Sequence, residues 1–356
     1  MGVLRVGLLT WNLNENSPLP GPQAHHQLGS LMFPKLDSIP PPELVIIALQ
    51  EARDVSYVEQ VAQALLGFLN SRCDSKYKVA SQSLVWNLGL VLVIQEHLRF
   101  KEFSSDWIGT GYLSVFVNKG ALSFRFSLNG WDICVLNCHL VHGASKTAFK
   151  KRMQSLSTIL KETAFFDSNG NVKRVLDHQV VFLLGDLNFR LKGKQHEVLP
   201  ILSTQGYEQK LLMLDELSLN RNSFPLSLFQ EIGDIQFPPT YKYKLGAGDQ
   251  FSSKRVPAYT DRILYRILKE TRLYKVTYSS FPSLDSSDHK PVYAYCLMES
   301  NAEESERHEI QKHWTSSSLG YYLKRDAWRF FTSRDGLLTI ALVLVTLRLI
   351  TSRRIW

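Results

Sequence analysis

The sequence predicts a layered α/β sandwich, two packed sheets with helices outside them. Three observations carry that expectation. Short strand-like runs recur along residues 1–298, separated by loops rich in Gly, Pro, Asn and Asp. A few segments with helical apolar spacing lie between these runs, where they can flank the sheets. The chain has 356 residues, 44% hydrophobic and 21% charged, enough to bury a sizeable core, and it shows no internal repeat.

Strands are expected at 4–10, 44–49, 76–82, 89–95, 112–118, 121–128, 131–138, 179–185, 272–279 and 291–297. The runs "LVIIAL", "LVLVI" and "VVFLLG" are apolar throughout, as strands covered on both faces must be. Helices are expected at 55–70, 146–164 and 193–204. Two insertions read as flexible: 14–42, with "NSPLPGP" and "PPP", and 245–254, "LGAGDQFSSK", which ends on a basic pair, Lys254-Arg255.

An aromatic share of 11% excludes a disordered chain. The net charge of +8 implies acidic partners: nucleic acid, anionic membrane or phosphorylated substrates. The cysteines Cys73, Cys134, Cys138 and Cys296 form no CxxC pair and read as reduced thiols of a cytosol-facing protein. The start "MGVLRVGLLTWN" reads as a first core strand rather than a signal peptide, and Val6 breaks the myristoylation pattern begun by Gly2.

Composition changes after Glu299. An acidic stretch, "ESNAEESERHE", and a basic, aromatic one, "YYLKRDAWRFFTSRD", make 299–335 a linker with a juxtamembrane segment. Residues 336–352 then read as a C-terminal transmembrane tail anchor, the alternative being an ordinary helix packed on the catalytic domain. Leu337–Leu347 is broken only by two threonines, Arg348 lies near the end where it can snorkel, and Arg334, Arg353 and Arg354 flank the segment. Its length suits a thin bilayer, so the expected location is a cytosol-facing site on the endoplasmic reticulum or another endomembrane.

The strand ends carry the chemistry. "VGLLTWN" ends in Asn12, "LVIIALQE" in Glu51, "DICVLNCH" in His139 and "VVFLLGDLN" in Asp186 and Asn188, while Asp288-His289 immediately precedes a strand. Each is an ordinary loop residue on its own. Delivered together to strand ends, they suit metal-assisted phosphate hydrolysis. Glu51 and Asn12 offer the oxygen ligands that Mg2+ takes, leaving positions open for water and phosphate. Asp186, Asn188, His139 and His289 fit the tasks of base, donor and charge stabiliser.

The motifs "TWN", "LQE", "NKGAL", "NCHL", "GDLNFR", "RVPAYTDRIL" and "SDHKPV", in this order, resemble the inositol polyphosphate 5-phosphatases of the exonuclease–endonuclease–phosphatase superfamily. The resemblance covers roughly 3–298. It implies a four-layered, deoxyribonuclease I-like sandwich of two mostly antiparallel sheets, with a catalytic domain over 1–298. "PAYTDRIL" preceded by "FPPTYKY" is the more specific part. The flavour is that of the skeletal-muscle- and kidney-enriched subgroup, although no SKICH domain is read here. Tyr259 stands where many relatives have Trp, Thr260 where many have Cys, and Leu184 where an aromatic is common.

The resemblance implies these roles. Glu51, helped by Asn12, holds Mg2+. Asp186 activates the attacking water and Asn188 orients it. His289, oriented by Asp261, contacts the scissile phosphate, with Asp288 beside the metal, and His139 stabilises charge on the phosphoryl oxygens. Tyr241, Lys242, Lys254 and Arg255 grip a neighbouring ring phosphate, the 4-phosphate. Lys119 and Arg262 are further parts of the site, and Arg190 is structural.

The function so implied is Mg-dependent removal of the 5-phosphate from phosphoinositides such as phosphatidylinositol 4,5-bisphosphate and 3,4,5-trisphosphate, and from soluble inositol polyphosphates. The implied partners are the lipid and a membrane surface, not nucleic acid, and no protein partner is named. The alternatives are a nuclease or sphingomyelinase of the same superfamily and a catalytically silent phosphoinositide-binding adaptor. The first is opposed by "FPPTYKY" and the tail, the second by the full set Glu51, Asp186, Asn188 and His289.

Overall fold

A computed structural model describes residues 2–18, 28–33, 39–111, 119–166, 171–300 and the backbone of 315–316. The strands, in chain order, are β1 (Gly2–Asn12), β2 (Leu44–Gln50), β3 (Tyr77–Val85), β4 (Leu88–Gln95), β5 (Phe100–Gly109), β6 (Gly120–Leu128), β7 (Trp131–His139), β8 (Ala164–Phe166), β9 (Asn171–Arg174), β10 (Val180–Asp186), β11 (Gln230–Glu231), β12 (Asp261–Ile267), β13 (Thr271–Ser280), β14 (Val292–Ser300) and β15 (Thr315–Ser316). The long helices are α1 (Val55–Arg72) and α2 (Lys146–Glu162).

Two six-stranded sheets follow, ordered β13-β14-β1-β2-β4-β3 and β11-β12-β10-β7-β6-β5. Each is antiparallel except at its centre, where β1 runs parallel to β2 and β7 parallel to β10. Because the central strands of each sheet run the same way, their carboxyl ends emerge along one edge.

Alternating side chains build the layers. Leu4, Val6 and Leu8 of β1 face Ile133, Val135, Phe182 and Leu184 across the core between the sheets. Leu9 and Trp11 point the other way and pack under α1 with Val58, Val61 and Leu65. Leu136, Cys138, Val181 and Leu183 are covered by Leu156 and Ile159 of α2. Asp54 caps α1, its carboxylate accepting from Ser56 N at 2.9 Å, and Ser145 caps α2, its hydroxyl accepting from Ala148 N at 3.1 Å.

The apolar core ends in a polar seam at the carboxyl edge. Asn137 of β7 donates through Nδ2 to Leu49 O and Gly89 O, both at 2.8 Å, and accepts from Gln50 Nε2 at 2.7 Å. Gln50 also donates to Thr10 Oγ1 at 3.1 Å. These three side chains are fully buried and tie one sheet to the other directly below the strand ends.

Several expectations change. Strand β5 was not expected. It is a sheet edge whose sequence, "FKEFSSDWIG", lacks sustained alternation, and its register shifts between Lys101 and Ser104. Strand β12 runs through "DRILYRI", read above only as a motif. The helix expected over 193–204 is one α-turn, Gln195–Val198, followed by a 3-10 turn, Leu199–Ser203, with Pro200 at its start. The insertions are not loose where described: Leu28, Met32 and Phe33 are buried against α1, and buried Lys290 donates to Gly248 O at 3.1 Å.

The expected strand 112–118, the end of the linker (317–335) and the tail segment 336–352 lie outside the described residues, as does most of 299–316. No described helix is long and apolar enough to cross a membrane. The chain divides into a large unit, Met1–Phe165 with Lys173–His313, and a small one, Phe166–Val172 with Trp314–Trp356. Within the small unit, Thr315 and Ser316 pair antiparallel with Val172 and Asn171.

Gly185 shows how tightly β10 and β7 approach at the carboxyl edge. Its φ is +141°, and a Cβ there would lie 1.9 Å from Cys138 O. Gly185→Ala is therefore expected to destabilise the fold by about 3 kcal/mol or more. Urea denaturation beside the wild type checks this; an unchanged midpoint would show that the strands part easily.

Candidate active site

The sheet registers assemble the site. Asp186 pairs with His139 across β10 and β7 and with Asp261 across β10 and β12. In the other sheet Asn12 pairs with Gln50, the residue before Glu51, and Thr10 with Val292, so that Asp288-His289 enters at the same edge. Two carboxylate–histidine pairs result. His139 Nε2 lies 3.2 Å from Asp186 Oδ2, and His289 Nδ1 donates to Asp261 Oδ2 at 2.9 Å. Asp186, Asp261 and His289 are all buried, and their ligand atoms lie within 4.8 Å of one another.

Asp186 is held from three sides. Oδ2 accepts from Asn12 Nδ2 at 3.0 Å, and Oδ1 from the backbone N–H of Asn188 at 3.0 Å. Burial alone would raise its pKa. The hydrogen bond and charge of His139, with the charges of His289 and Lys119, instead hold it well below the usual carboxylate range. It is therefore an ionised acceptor at neutral pH.

His289 is its counterpart. Burial disfavours its charge, but Asp261, by charge and hydrogen bond, and then Asp186 and Asp288 raise its pKa to about 9. Asp261 is itself fixed by hydroxyls, Oδ2 accepting from Thr240 at 2.6 Å and Thr260 at 2.8 Å. Trp11 Nε1 donates to His289 O at 3.2 Å, and Ser287 Oγ donates to Asn12 O at 2.6 Å, so the His289 loop is pinned to the end of β1.

Glu51 and Asn188 occupy backbone conformations that non-glycine residues rarely adopt, with φ of +52° and +57°. In Asn188 this turns the side chain back over the site. Nδ2 donates to Leu140 O at 3.2 Å, while Oδ1 accepts from the Arg190 guanidinium. Glu51 is partly open, with Oε1 3.6 Å from His139 Nε2 and 3.9 Å from Lys119 Nζ. The Lys119 ammonium lies against the His139 ring, and burial lowers its pKa despite Asp186 and Glu51. The next residue, Gly120, lets β6 lie close against β5, since a Cβ there would meet Ile108 O at 2.1 Å.

The donor set fits a hard divalent cation. Glu51 and Asn12 present oxygens, and Oδ1 of both Asp261 and Asp288 is buried without a hydrogen-bond partner. Glu51, its carboxylate in no direct hydrogen bond among the described residues, would be the principal ligand. Asn12 Oδ1 accepts from Asn14 N at 2.9 Å and keeps a second lone pair.

Of the ring-phosphate group, Tyr241 packs against His289 with ring centroids 4.5 Å apart and the planes tilted by 38°. Lys242 is ion-paired with Asp288, which keeps its charge despite partial burial. The side chains of Lys254 and Arg255 are exposed and form no ion pair among the described residues. Arg262 is a correction. As the neighbour of Asp261 on β12 it faces the opposite side, fully buried, with Nη1 on Asp215 at 2.9 Å and Nε on Glu231 at 3.0 Å. It is a buried ion-pair centre, not part of the site. His142 was missed. It is exposed, and after burial the charges of Lys119, Arg190 and Arg255 push its pKa down.

A model of the Endonuclease/Exonuclease/phosphatase family 2 matches residues 9–295. The human phosphatidylinositol 3,4,5-trisphosphate 5-phosphatase 2 is 33% identical over 64% of the chain and 19% of its own length. The polyphosphatidylinositol phosphatase INP53 of Saccharomyces cerevisiae is 30% identical over 81% of the chain and 26% of its length. The chain thus spans about a fifth to a quarter of these curated relatives. Among solved structures, the inositol polyphosphate 5-phosphatase domain of SpSynaptojanin, in complex with inositol (1,4)-bisphosphate and calcium, is 25% identical. Its TM-score is 0.71, over 93% of this chain and 94% of that one. A Cimex nitrophorin shares the fold at TM-score 0.63 and 18% identity, over 83% of this chain and 98% of that one.

The raised pKa of His289 has a stability consequence. Charged when folded up to about pH 9 but with an ordinary value of 6.5, it contributes stability fully present below 6.5 and lost as pH rises through 9. In metal-free protein this contribution amounts to about 3 kcal/mol. Denaturation at pH 6.5 and 9.5 should show the loss in wild type and a flatter profile in His289→Gln. Parallel profiles would refute the charged imidazolium.

Proposed function

The chain belongs to the endonuclease/exonuclease/phosphatase family 2, and from that premise we propose that it is a metal-dependent phosphatase removing the 5-phosphate of phosphoinositides. The observation that carries the reading is the convergence of Asp186–His139 and Asp261–His289 on one strand edge, with Glu51 beside them. The named activities of the relatives, both polyphosphoinositide phosphatases, support this substrate class over nucleic acid. So does a cationic, aromatic rim at Tyr241, Lys242, Lys254 and Arg255.

In this reading Asp186 accepts a hydrogen bond from the attacking water and takes its proton as bond formation to phosphorus acidifies it. A low pKa makes it a weak base beforehand but keeps it ionised and aligned. Asn188 orients the water. The His289 imidazolium has one N–H engaged by Asp261, which leaves Nε2–H for a phosphoryl oxygen. His139 and Lys119 add positive or donor character on the far side of Asp186. Glu51 with Asn12 would hold Mg2+, which would supply charge neutralisation at the phosphoryl oxygens. Lys242, released from Asp288 or sharing it, would join Tyr241, Lys254 and Arg255 on the 4-phosphate.

Phosphate release from a panel of lipid and soluble 5-phosphates, with DNA and sphingomyelin as controls, tests the reading. Asp186→Asn and Glu51→Gln should each reduce turnover about 10³-fold, the partly exposed Glu51→Gln without lowering the melting temperature, and chelation should abolish activity until Mg2+ is restored. Full activity in excess chelator, or turnover of DNA alone, would overturn it.

The tail completes the proposal. The sequence of 336–352, apolar and bracketed by arginines, supports a membrane anchor that keeps the catalytic domain on the cytosolic face of an endomembrane. Full-length protein should then stay with membranes through alkaline carbonate extraction, and a version ending at 300 should not. Recovery of the full-length chain in the soluble fraction would refute the anchor.

A further inference from the structure

Arg190, read from sequence as structural, touches two functional groups at once. Its guanidinium donates to Asn188 Oδ1, and its Cζ lies 4.8 Å from the centre of the Tyr241 ring. Tyr241 in turn packs against the His289 ring. A merely structural arginine in this chain looks different: Arg152 and Arg262 are fully buried and paired with carboxylates. The Arg190 side chain has no carboxylate within ion-pair distance among the described residues, and its buried Nε lacks a hydrogen-bond partner. It faces an amide and an aromatic ring instead.

Its backbone is anchored from below. Arg190 N donates to Glu216 Oε2 at 3.0 Å, and the same oxygen accepts from Arg152 Nη2 at 2.5 Å. The chain is thus fixed at Cα while the planar end of the side chain spans the gap from Asn188 to Tyr241. The amide orientation of Asn188 follows, because Oδ1 meets the cation and Nδ2 meets Leu140 O. A shift of the Tyr241 ring displaces the guanidinium lying over it, and so disturbs Asn188.

We infer that Arg190 is a positioning residue that couples recognition of a ring phosphate at Tyr241 to the orientation of Asn188 over the attacking water. The inference rests on the 5-phosphatase reading above. Its consequence is that a phosphate next to the scissile one raises kcat and not only affinity, since binding energy gained at Tyr241 is realised in the aligned state. Lysine cannot substitute, because an ammonium has neither the planar face nor the forked donors.

The test compares kcat and KM on short-chain phosphatidylinositol 4,5-bisphosphate and 3,5-bisphosphate, for wild type, Arg190→Lys, Arg190→Gln, Tyr241→Leu and the Arg190→Gln/Tyr241→Leu pair. Either Arg190 variant should lower kcat on the 4,5-lipid by roughly tenfold or more, with little change in KM. Its effect on the 3,5-lipid should be smaller, and the double variant should be no worse than the poorer single one. Equal losses on both lipids, a loss confined to KM, or additive effects in the double variant would overturn the coupling. Wild type inactive on both lipids would instead remove the 5-phosphatase reading and the inference with it. Melting temperatures identify any misfolded variant; Arg190→Lys, which retains the charge and the stem, decides if Arg190→Gln does not fold.

Discussion

The site depends on one buried side chain that belongs to neither the chemistry nor the apolar core. Asn137 reaches from the centre of one sheet and donates both amide hydrogens to carbonyls of the other, Leu49 and Gly89, while accepting from Gln50. Each sheet alone carries half of the functional groups: Asn12, Glu51 and His289 on one, His139, Asp186 and Asp261 on the other. An apolar contact there would hold the sheets together without fixing their register, because dispersion and hydrophobic forces have little direction. Three saturated hydrogen bonds do fix it, and leaving any one group unpaired in that layer would be costly.

Above this seam the electrostatics divide the two carboxylate–histidine pairs into different roles. Asp186 lies among donors and cations and is kept ionised. Asp261 takes three hydrogen bonds on one oxygen, and its neighbour His289 becomes the charged member of its pair. Similar residue types therefore end in complementary states, an acceptor facing a donor across a gap where ligand atoms come within 4.8 Å of one another. Under the proposed phosphatase reading, such a pre-set field would require little reorganisation as charge moves onto a phosphoryl group.

Much of this was legible in the sequence because strand ends are legible. An apolar run that stops on Gly185-Asp186 or Asn137-Cys138-His139 announces both the strand and the residue it delivers. The side of the strand on which a neighbour falls was less visible: Asp261 and Arg262 are adjacent in one motif, yet the period of two sends them to opposite faces. The partners Glu231 and Asp215 come from distant, irregular segments that no local pattern connects to Arg262. Strand β5 escaped because one of its sides meets solvent, and Arg190 was undervalued because its contacts are an amide and a ring rather than an opposite charge.

The dependence of β1 on β14 bears on the order in which the fold can close. The indole of Trp11 is bonded to the carbonyl of His289, 278 residues away, and β1 is sandwiched between β2 and β14. β1 is synthesised long before β14, so one flank of a largely buried strand stays uncovered until Val292–Ser300 has been made. That flank is an open pairing edge for the whole interval, and the two halves of the polar edge come together in one step, when β14 docks, rather than piece by piece.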